Sequence, residues 1–305
     1  MQVQIKGKSN MSRIIFALLG LIAGALAVST DTGKEFINQV LKPTPAASQE
    51  AGTVLCYKPG GNYEQVMEAI GIELMNQGHQ VTMLKTSGSE DTLNGLSTGK
   101  CNFGISQNDV HYLLSKKNLS LKSAVKPASV LYTEVMTLMC SPESGIDELS
   151  DITAKNSVIV DSLGSGSALT WDNLVQIEKE FGGEDAWSKA TPVYSSLSEA
   201  EAAISVGEAQ CAFGVAGVPA TWANTMAKNG FTVSWLEDKD INDLEFPEGT
   251  SLYDATRVPS SGYGAKFDTY KIKAVLFQSN KTTVNPEVER IVKRIAPSIG
   301  KRLNT

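Results

Sequence analysis

The sequence has few of the residues that usually form metal or redox centres. Its 305 residues include only two histidines, His79 and His111, and no pair of cysteines is spaced C-x-x-C. Zinc sites and thiol redox sites depend on clusters of these residues. Neither histidine has the context of a catalytic triad, and no serine has the G-x-S-x-G spacing of hydrolases. We therefore expect no metal, no cofactor and no enzymatic activity.

The chain also lacks a net positive charge. Its formal net charge at pH 7 is −6. The first 27 residues contain Lys6, Lys8 and Arg13 and no acidic residue, so the remainder is more acidic still. Sequence-independent binding to nucleic acids depends on phosphate neutralisation by Lys and Arg. We therefore expect no nucleic-acid partner.

Long hydrophobic runs are missing except at Ile14–Val28. This run follows a basic head and contains Ala25–Ala27, a small-x-small motif typical of signal peptides. It is shorter than the ~20 residues needed to span a bilayer. We expect residues 1–27 to be a signal peptide for export to the periplasm, whether translation starts at Met1 or Met11, and residues 28–52 to be a linker. An uncleaved membrane anchor is the alternative.

Four cysteines are compatible with two disulfides in an oxidising compartment. Cys101 and Cys211 begin equivalent predicted strands, whereas Cys56 and Cys140 lie in separate apolar strands. Buried thiols that behave as small hydrophobic side chains explain these positions as well. We therefore do not expect both disulfides to form.

Two similar segments indicate two related units. Gly99–Asp109 (GKCNFGISQND) and Gly207–Pro219 (GEAQCAFGVAGVP) both contain Cys-x-Phe-Gly. Each completes an alternation of strands and helices, which is typical of a parallel sheet with right-handed crossovers. Residues 128–145 form a β-rich run suited to crossing between the units. Because ligands bind beyond the carboxyl ends of such strands, we expect an α/β fold with a ligand cleft between two lobes.

We expect lobe 1 to comprise residues 53–137 and about 237–305, and lobe 2 to comprise residues 138–236. The amphipathic helix predicted at 285–303 accounts for the return of the chain to lobe 1.

Several motifs, in this order, resemble the TAXI family of solute-binding proteins, the receptors of tripartite ATP-independent periplasmic (TRAP) transporters. The motifs are GGNYEQVMEAI, SGSEDTLNGLSTGKCNFGISQNDV, LYTEV, SGIDELSDI, LGSGSA and SEAEAAISVGEAQCAFGVAGVPA. The resemblance runs from about Thr53 to Trp235. It implies a type II periplasmic binding protein of the Venus-flytrap kind, which captures a small organic acid or amino acid and delivers it to the membrane subunits of a TRAP permease.

Two features depart from the family pattern. Glu64 follows Tyr63, where the family usually has a second aromatic residue, and the segment after Leu236 matches poorly. Two other functions stay open. An exported α/β enzyme acting on a small acid is disfavoured because no nucleophile, metal set or pair of catalytic carboxylates is evident. A membrane-tethered ligand-sensing domain would retain residues 1–27.

Candidate ligand-binding residues lie at strand ends and helix starts. Backbone N–H groups and serine hydroxyls of the Gly/Ser loops can receive a carboxylate, although ordinary helix capping explains the loops too. Glu134 shares a strand face with Tyr132 and suits either a ligand ammonium or a surface lysine. The candidates are Gly61, Asn62, Tyr63, Ser87, Gly88, Ser89, Gln107, Tyr132, Glu134, Ser165, Gly166, Ser167, Gly217 and Pro219.

Three further charged residues have less specific roles. Lys58 and Lys85 each end a predicted strand, so they either attract an anionic solute or act as solvated rim charges. We expect Asp109 to cap the helix that follows the third strand.

Overall fold

The computed structural model describes residues 52–181, 185–243, 249 and 251–303. The expected signal peptide at 1–27 and the linker up to residue 51 lie outside these residues. Within them, no helix is both long enough and apolar enough to cross a lipid bilayer.

A mixed sheet of ten strands runs through the described part of the chain. The strands are β1 (Thr53–Tyr57), β2 (Val81–Lys85), β3 (Phe103–Gln107), β4 (Val125–Cys140), β5 (Ser157–Ile159), β6 (Thr191–Val193), β7 (Cys211–Ala216), β8 (Thr232–Ser234), β9 (Asp254–Val258) and β10 (Phe267–Ser279). Their order is β2-β1-β3-β10-β4-β7-β5-β6, with β8 paired to β4 and β9 paired to β10.

Helices cover this sheet. Among the described residues they are α1 (Asn62–Asn76), α2 (Ser89–Ser97), α3 (Asn108–Lys117), α4 (Leu119–Ala124), α5 (Gly166–Phe181), α6 (Ala200–Ser205), α7 (Thr221–Lys228), α8 (Lys239–Asn242) and α9 (Pro286–Leu303). Short 3-10 turns lie at Pro142–Ser144, Leu149–Asp151 and Ala186–Lys189.

The first half of the sheet consists of the parallel strands β1, β2 and β3. β1 and β3 are almost wholly buried, which explains their continuous apolar sequence. Val66, Ile70 and Leu74 of α1 recur every four residues and pack together with Leu55 and Phe103. This spacing is that of a helix with one buried apolar face.

The second half consists of the parallel strands β5, β6 and β7. Its hydrophobic core contains more aromatic side chains than the core of the first half. The ring of Trp171 on α5 lies 5.2 Å from that of Phe213 on β7 and 5.8 Å from that of Trp187, measured between centroids. This packing fixes α5 on the sheet, and α5 begins at one of the predicted ligand loops.

Two long antiparallel strands join the halves. β4 pairs with β10 over most of its length and with β7 at its carboxyl end. α9 packs against α1 and β4, and Gly300 permits the contact because a Cβ there would overlap the carbonyl of Leu131. Since β4 and β10 belong to both halves, the lobe boundaries expected near residues 137 and 237 stay a prediction.

Both disulfides are present in the structure, so the expectation that one would be missing is wrong. Cys56 is bonded to Cys101 and Cys140 to Cys211, and the described residues include no free cysteine. Strand pairing is the reason. Cys140 of β4 lies directly opposite Cys211 of β7, and the neighbouring strands β1 and β3 bring Cys56 close to Cys101. The sequence does not reveal which strands are neighbours.

Candidate functional site

The two Gly/Ser loops, which lead into α2 and α5, contact each other directly. The N–H of Glu90 donates a hydrogen bond to the carbonyl of Gly164 at 3.2 Å. A Cβ on Gly88 would lie 2.7 Å from that carbonyl oxygen and 2.8 Å from the Cα of Ser165. Glycine at position 88 therefore allows the helix-start loop of the first half to close against that of the second.

Three serines in these loops already have hydrogen-bond partners within the fold. Ser165 Oγ accepts a hydrogen bond from the Ala168 N–H at 3.2 Å, and Ser167 Oγ accepts one from the Val215 N–H at 2.9 Å. Ser87 binds the side chain of Asp91. In this conformation Ser165 caps the start of α5 and Ser167 holds α5 to β7, and the participation of these serines in ligand binding stays a prediction.

Glu134 lies at the centre of the site and is only 4% exposed. Its Oε2 accepts hydrogen bonds from the Tyr63 hydroxyl at 2.9 Å and the Gln107 amide at 3.3 Å. Burial raises the pKa of Glu134 to about 7; these two hydrogen bonds oppose the rise, and the charge of Asp109 adds to it. Its partners are thus a tyrosine and an amide rather than a surface lysine.

Asp109 is a second buried carboxylate, and its role differs from the expected helix cap. It lies inside the first turn of α3 and is fully buried. Its Oδ2 accepts hydrogen bonds from the Thr170 hydroxyl of α5 at 2.8 Å and the Tyr253 hydroxyl at 3.2 Å. Burial raises the pKa of Asp109 to about 6. Asp109 therefore links the two halves of the sheet.

These side chains form one connected network, which we call the buried polar chain. The Thr170 hydroxyl also lies 3.5 Å from Gln107 Oε1, which joins the Glu134 group to the Asp109 group. A Cβ on Gly166, the first residue of α5, would overlap the same Gln107 amide. The buried polar chain consists of Tyr63, Gln107, Asp109, Glu134, Thr170 and Tyr253.

Two polar atoms in or next to the buried polar chain are themselves buried without a hydrogen-bond partner among the described residues. They are the hydroxyl of Tyr132 and Oδ1 of Asp109. The Tyr132 ring centroid lies 6.4 Å from that of Tyr63. Burial and the nearby Glu134 carboxylate raise the pKa of Tyr132, so its hydroxyl remains a neutral donor. Both atoms therefore retain unused hydrogen-bonding capacity.

The remaining candidates lie around the buried polar chain. A Cβ on Gly217 would lie 2.9 Å from the amide nitrogen of Asn62, so the end of β7 approaches the start of α1. Gly61 and Pro219 are exposed and lie at the rim. Buried Ser89 begins α2, and its Oγ would lie 2.9 Å from a Cβ on Gly166.

One of the two rim lysines connects the halves. Lys58 Nζ lies 2.6 Å from Asp161 Oδ2, which joins the residue after β1 to the segment after β5. Asp161 has a φ of +72°, in the left-handed region that non-glycine residues seldom adopt. Lys85 is exposed and lies 3.7 Å from Glu64. Lys58 is thus an ion-pair partner rather than a solvated charge.

A surface cavity of about 580 Å³ lies against α5 in the second half. Its lining residues are Trp171, Asp172, Val175, Gln176, Lys179, Ser188, Lys189, Ala190 and Pro192. None of these was predicted from the sequence to bind a ligand. The buried carboxylates Glu134 and Asp109 and the unpartnered hydroxyl of Tyr132 lie elsewhere, so we place the candidate site at the buried polar chain.

Sequence reasoning missed three members of this site. Thr170 and Tyr253 were not singled out, and Asp109 was assigned to capping. Thr170 lies one helical turn after Gly166, so its placement on α5 near the predicted loop was a usable signal. Tyr253 belongs to the segment after Leu236, where no motif was evident.

Three solved structures with a similar fold are ligand-binding proteins. AbpA from Streptococcus pneumoniae, an amino acid ABC transporter substrate-binding protein bound to L-arginine, matches with a TM-score of 0.50 and 9% identity, covering 83% of this chain and 90% of that one. The substrate-binding protein of another amino acid ABC transporter matches with a TM-score of 0.50 and 10% identity, covering 83% and 95%. The GluR0 ligand-binding core with L-glutamate matches with a TM-score of 0.51 and 8% identity, covering 84% and 99%. At such identities the likeness shows the fold alone, that of type II periplasmic binding proteins.

No curated protein sequence matches this chain. The model of the NMT1-like family does match, over residues 58–288. That range includes the buried polar chain, both Gly/Ser loops and every strand except β1. The chain therefore belongs to the NMT1-like family.

Proposed function

We propose that this protein is an extracytoplasmic solute receptor that captures a small amino acid or organic acid between the two halves of its sheet. It releases the solute to a membrane permease. Closure around the solute is a hinge motion of two lobes, with β4 and β10 as the connections between them. Neither step requires a cofactor.

The buried polar chain carries this proposal. Glu134 and Asp109 are carboxylates buried at the junction of the two halves. An isolated buried charge is costly unless an opposite charge or hydrogen bonds compensate for it. The ammonium group of an amino acid supplies a positive charge with three donors, which is the complement that Glu134 requires. We therefore favour an amino acid over an organic acid without an amine.

The carboxylate group of the solute needs hydrogen-bond donors from the protein. The Ser165 and Ser167 oxygens accept hydrogen bonds from backbone N–H groups, so their O–H groups, together with backbone N–H groups at the start of α2 and α5, are available as donors. Helix N-termini favour anions because their first N–H groups point outwards and carry the positive end of the dipole. Lys58 adds a positive charge on the same edge of the sheet.

The contacts between the halves are those that a closed receptor makes. The Lys58–Asp161 ion pair and the hydrogen bond from Glu90 to Gly164 both join helix-start or strand-end loops of different halves. Opening the cleft would break them. Each is a single polar interaction, whose net contribution to stability is modest, so a solute is able to decide the balance between open and closed states.

More specifically, we propose that the protein is a periplasmic receptor of the TAXI family, which serves TRAP transporters. It is supported by the ordered motifs of the sequence and by the apolar run with its Ala-x-Ala motif at 25–27. Two disulfides favour an oxidising compartment. The membrane subunits of a TRAP permease are the partner that this assignment proposes.

A thermal-shift screen with matched solutes tests the function. Amino acids should raise the unfolding midpoint, because a ligand that binds only the folded state stabilises it. Their 2-oxo and 2-hydroxy analogues, which lack the ammonium group, should raise it less. Stabilisation by neither class would contradict the receptor function, and equal stabilisation by both would contradict the role given to Glu134.

One observation favours a second candidate, an exported enzyme acting on a small acid. The pKa values of Glu134 and Asp109 are raised to about 7 and about 6, a range suited to general acid–base catalysis. The two functions are separated by the fate of a bound solute. A receptor returns it unchanged after prolonged incubation, whereas an enzyme returns a product.

A further inference from the structure

An acidic cluster lies apart from the candidate site, on the second half of the sheet. One carboxylate oxygen each from Glu178, Asp238 and Asp240 lies within 4.8 Å of the other two. Glu178 belongs to α5, and the two aspartates lie at the start of α8. Thr170 of the buried polar chain is eight positions before Glu178, roughly 12 Å along the helix axis.

Glu178 is the unusual member because it is 1% exposed. Its Oε1 accepts a hydrogen bond from the Asp185 N–H at 2.8 Å. Its Oε2 is buried and has no hydrogen-bond partner among the described residues. Burial raises the pKa of Glu178, and the charges of Asp238, Asp185 and Asp240 raise it further. A buried carboxylate among other carboxylates needs a positive partner.

Asp238 is held rigidly in position to share such a partner. Its backbone N–H and carbonyl both bind the hydroxyl of Tyr270 at 2.7 Å. Its Oδ1 accepts hydrogen bonds from the N–H groups of Asp240 and Ile241, and its Oδ2 accepts one from the Trp187 indole at 3.2 Å. Preorganised ligands of this kind favour ion binding because little order is lost when the ion arrives.

We propose that Glu178, Asp238 and Asp240 bind one Ca²⁺ ion, with water molecules completing its coordination. An all-oxygen donor set suits Ca²⁺, Mg²⁺ and Mn²⁺ rather than zinc or copper. Calcium accepts carboxylates at roughly 2.3–2.6 Å in flexible geometry, so oxygens up to about 5 Å apart are able to share one ion. Mg²⁺ demands a tighter octahedron and keeps most of its water. The ion ties the last turns of α5 to the segment that begins α8.

Terbium luminescence tests the site without knowledge of the solute. Tb³⁺ has a size and oxygen preference similar to Ca²⁺, and the Trp187 indole contacts Asp238, so tryptophan excitation should sensitise bound Tb³⁺. The purified protein is first treated with EGTA. One equivalent should then bind, Ca²⁺ should displace it, and Mg²⁺ at the same concentration should not.

Substitutions in the acidic cluster test whether Tb³⁺ and Ca²⁺ bind there. Glu178→Gln and Asp240→Asn should each weaken Tb³⁺ and Ca²⁺ binding roughly tenfold or more, because ligand charge sets affinity. Asp240 is half-buried, so its variant tests the site even if Glu178→Gln folds poorly. Glu68→Gln, an exposed change on α1, is the control and should bind as the wild type. Absence of Ca²⁺-displaceable Tb³⁺, wild-type affinity in both variants, or equal displacement by Mg²⁺ would each overturn the proposal.

Discussion

Replacement of Glu134 by glutamine is the change that most sharply separates a solute site from a structural network. The amide has nearly the same shape but no charge. A hydrogen bond to a charged group contributes ~1.5–3 kcal/mol, so the loss should weaken amino-acid binding roughly ten- to a hundredfold. Binding of the matched 2-oxo analogue should change much less, because it has no ammonium group.

The pH dependence of binding follows from the raised pKa of Glu134. At a pKa of about 7 the carboxylate is half protonated at neutral pH. An ammonium group favours the ionised form, so binding at pH 7 should release about half a proton from this residue. Affinity of the wild type should fall as the pH drops below 7. In Glu134→Gln this dependence should be lost.

Stability of the ligand-free protein should change in the opposite sense. Unfolded glutamate titrates near 4.5, whereas folded Glu134 titrates near 7. The folded state therefore holds the proton more tightly, and its stability should fall as the pH rises from about 4.5 to 7. The difference corresponds to about 3 kcal/mol. Glu134→Gln should remove this part of the pH dependence, which denaturant unfolding at pH 5 and pH 8 measures.

Titration calorimetry in two buffers of different ionisation enthalpy measures affinity and proton release together. Glu68→Gln is the control, because Glu68 is exposed on α1. Circular dichroism establishes that each variant is folded. If Glu134→Gln binds the amino acid with wild-type affinity, and the wild type shows no buffer-dependent heat near pH 7, then Glu134 does not face the solute and the reasoning fails.

Three further predictions concern contacts between and within the halves. Gly88→Ala places a methyl group against the Gly164 carbonyl, which disfavours contact between the two loops. Solute affinity should therefore fall about tenfold, and equal affinity by calorimetry would count against loop closure. Lys58→Gln removes the closed-state ion pair with Asp161, so it should speed dissociation of the solute more than it slows association, which stopped-flow fluorescence measures. Joint replacement of Cys140 and Cys211 by alanine should cost about 2–5 kcal/mol in denaturant unfolding, and a cost below ~1 kcal/mol would contradict a stabilising disulfide.

Much of the fold was predictable because its elements have strong local patterns. The four-residue spacing of Val66, Ile70 and Leu74 predicted α1, and the crossing run at 128–145 corresponds to β4. The short strand β9 has no comparable local pattern. Alternating or short strands that depend on a partner carry a weaker signal than a helix.

The site was only partly predictable, for a reason of distance along the chain. Tyr63, Gln107 and Glu134 follow from a helix start, a strand end and a strand face, respectively, and the structure brings them together. Asp109 contacts Tyr253, which is 144 residues away. No local pattern distinguishes a buried carboxylate with such a partner from an ordinary acidic residue in the first turn of a helix. The two disulfides were uncertain on the same ground.

Mass spectrometry of small molecules released from the protein tests the central claim most directly. The protein is purified from cells under native conditions, washed free of unbound solutes and denatured, and the released molecules are identified. A receptor that closes around an amino acid should release one amine-bearing small acid in near-stoichiometric amount, and Glu134→Gln should release much less. Release of no such molecule from protein that also binds none in calorimetry, or of a solute without an amine in equal amount from both proteins, would contradict the account.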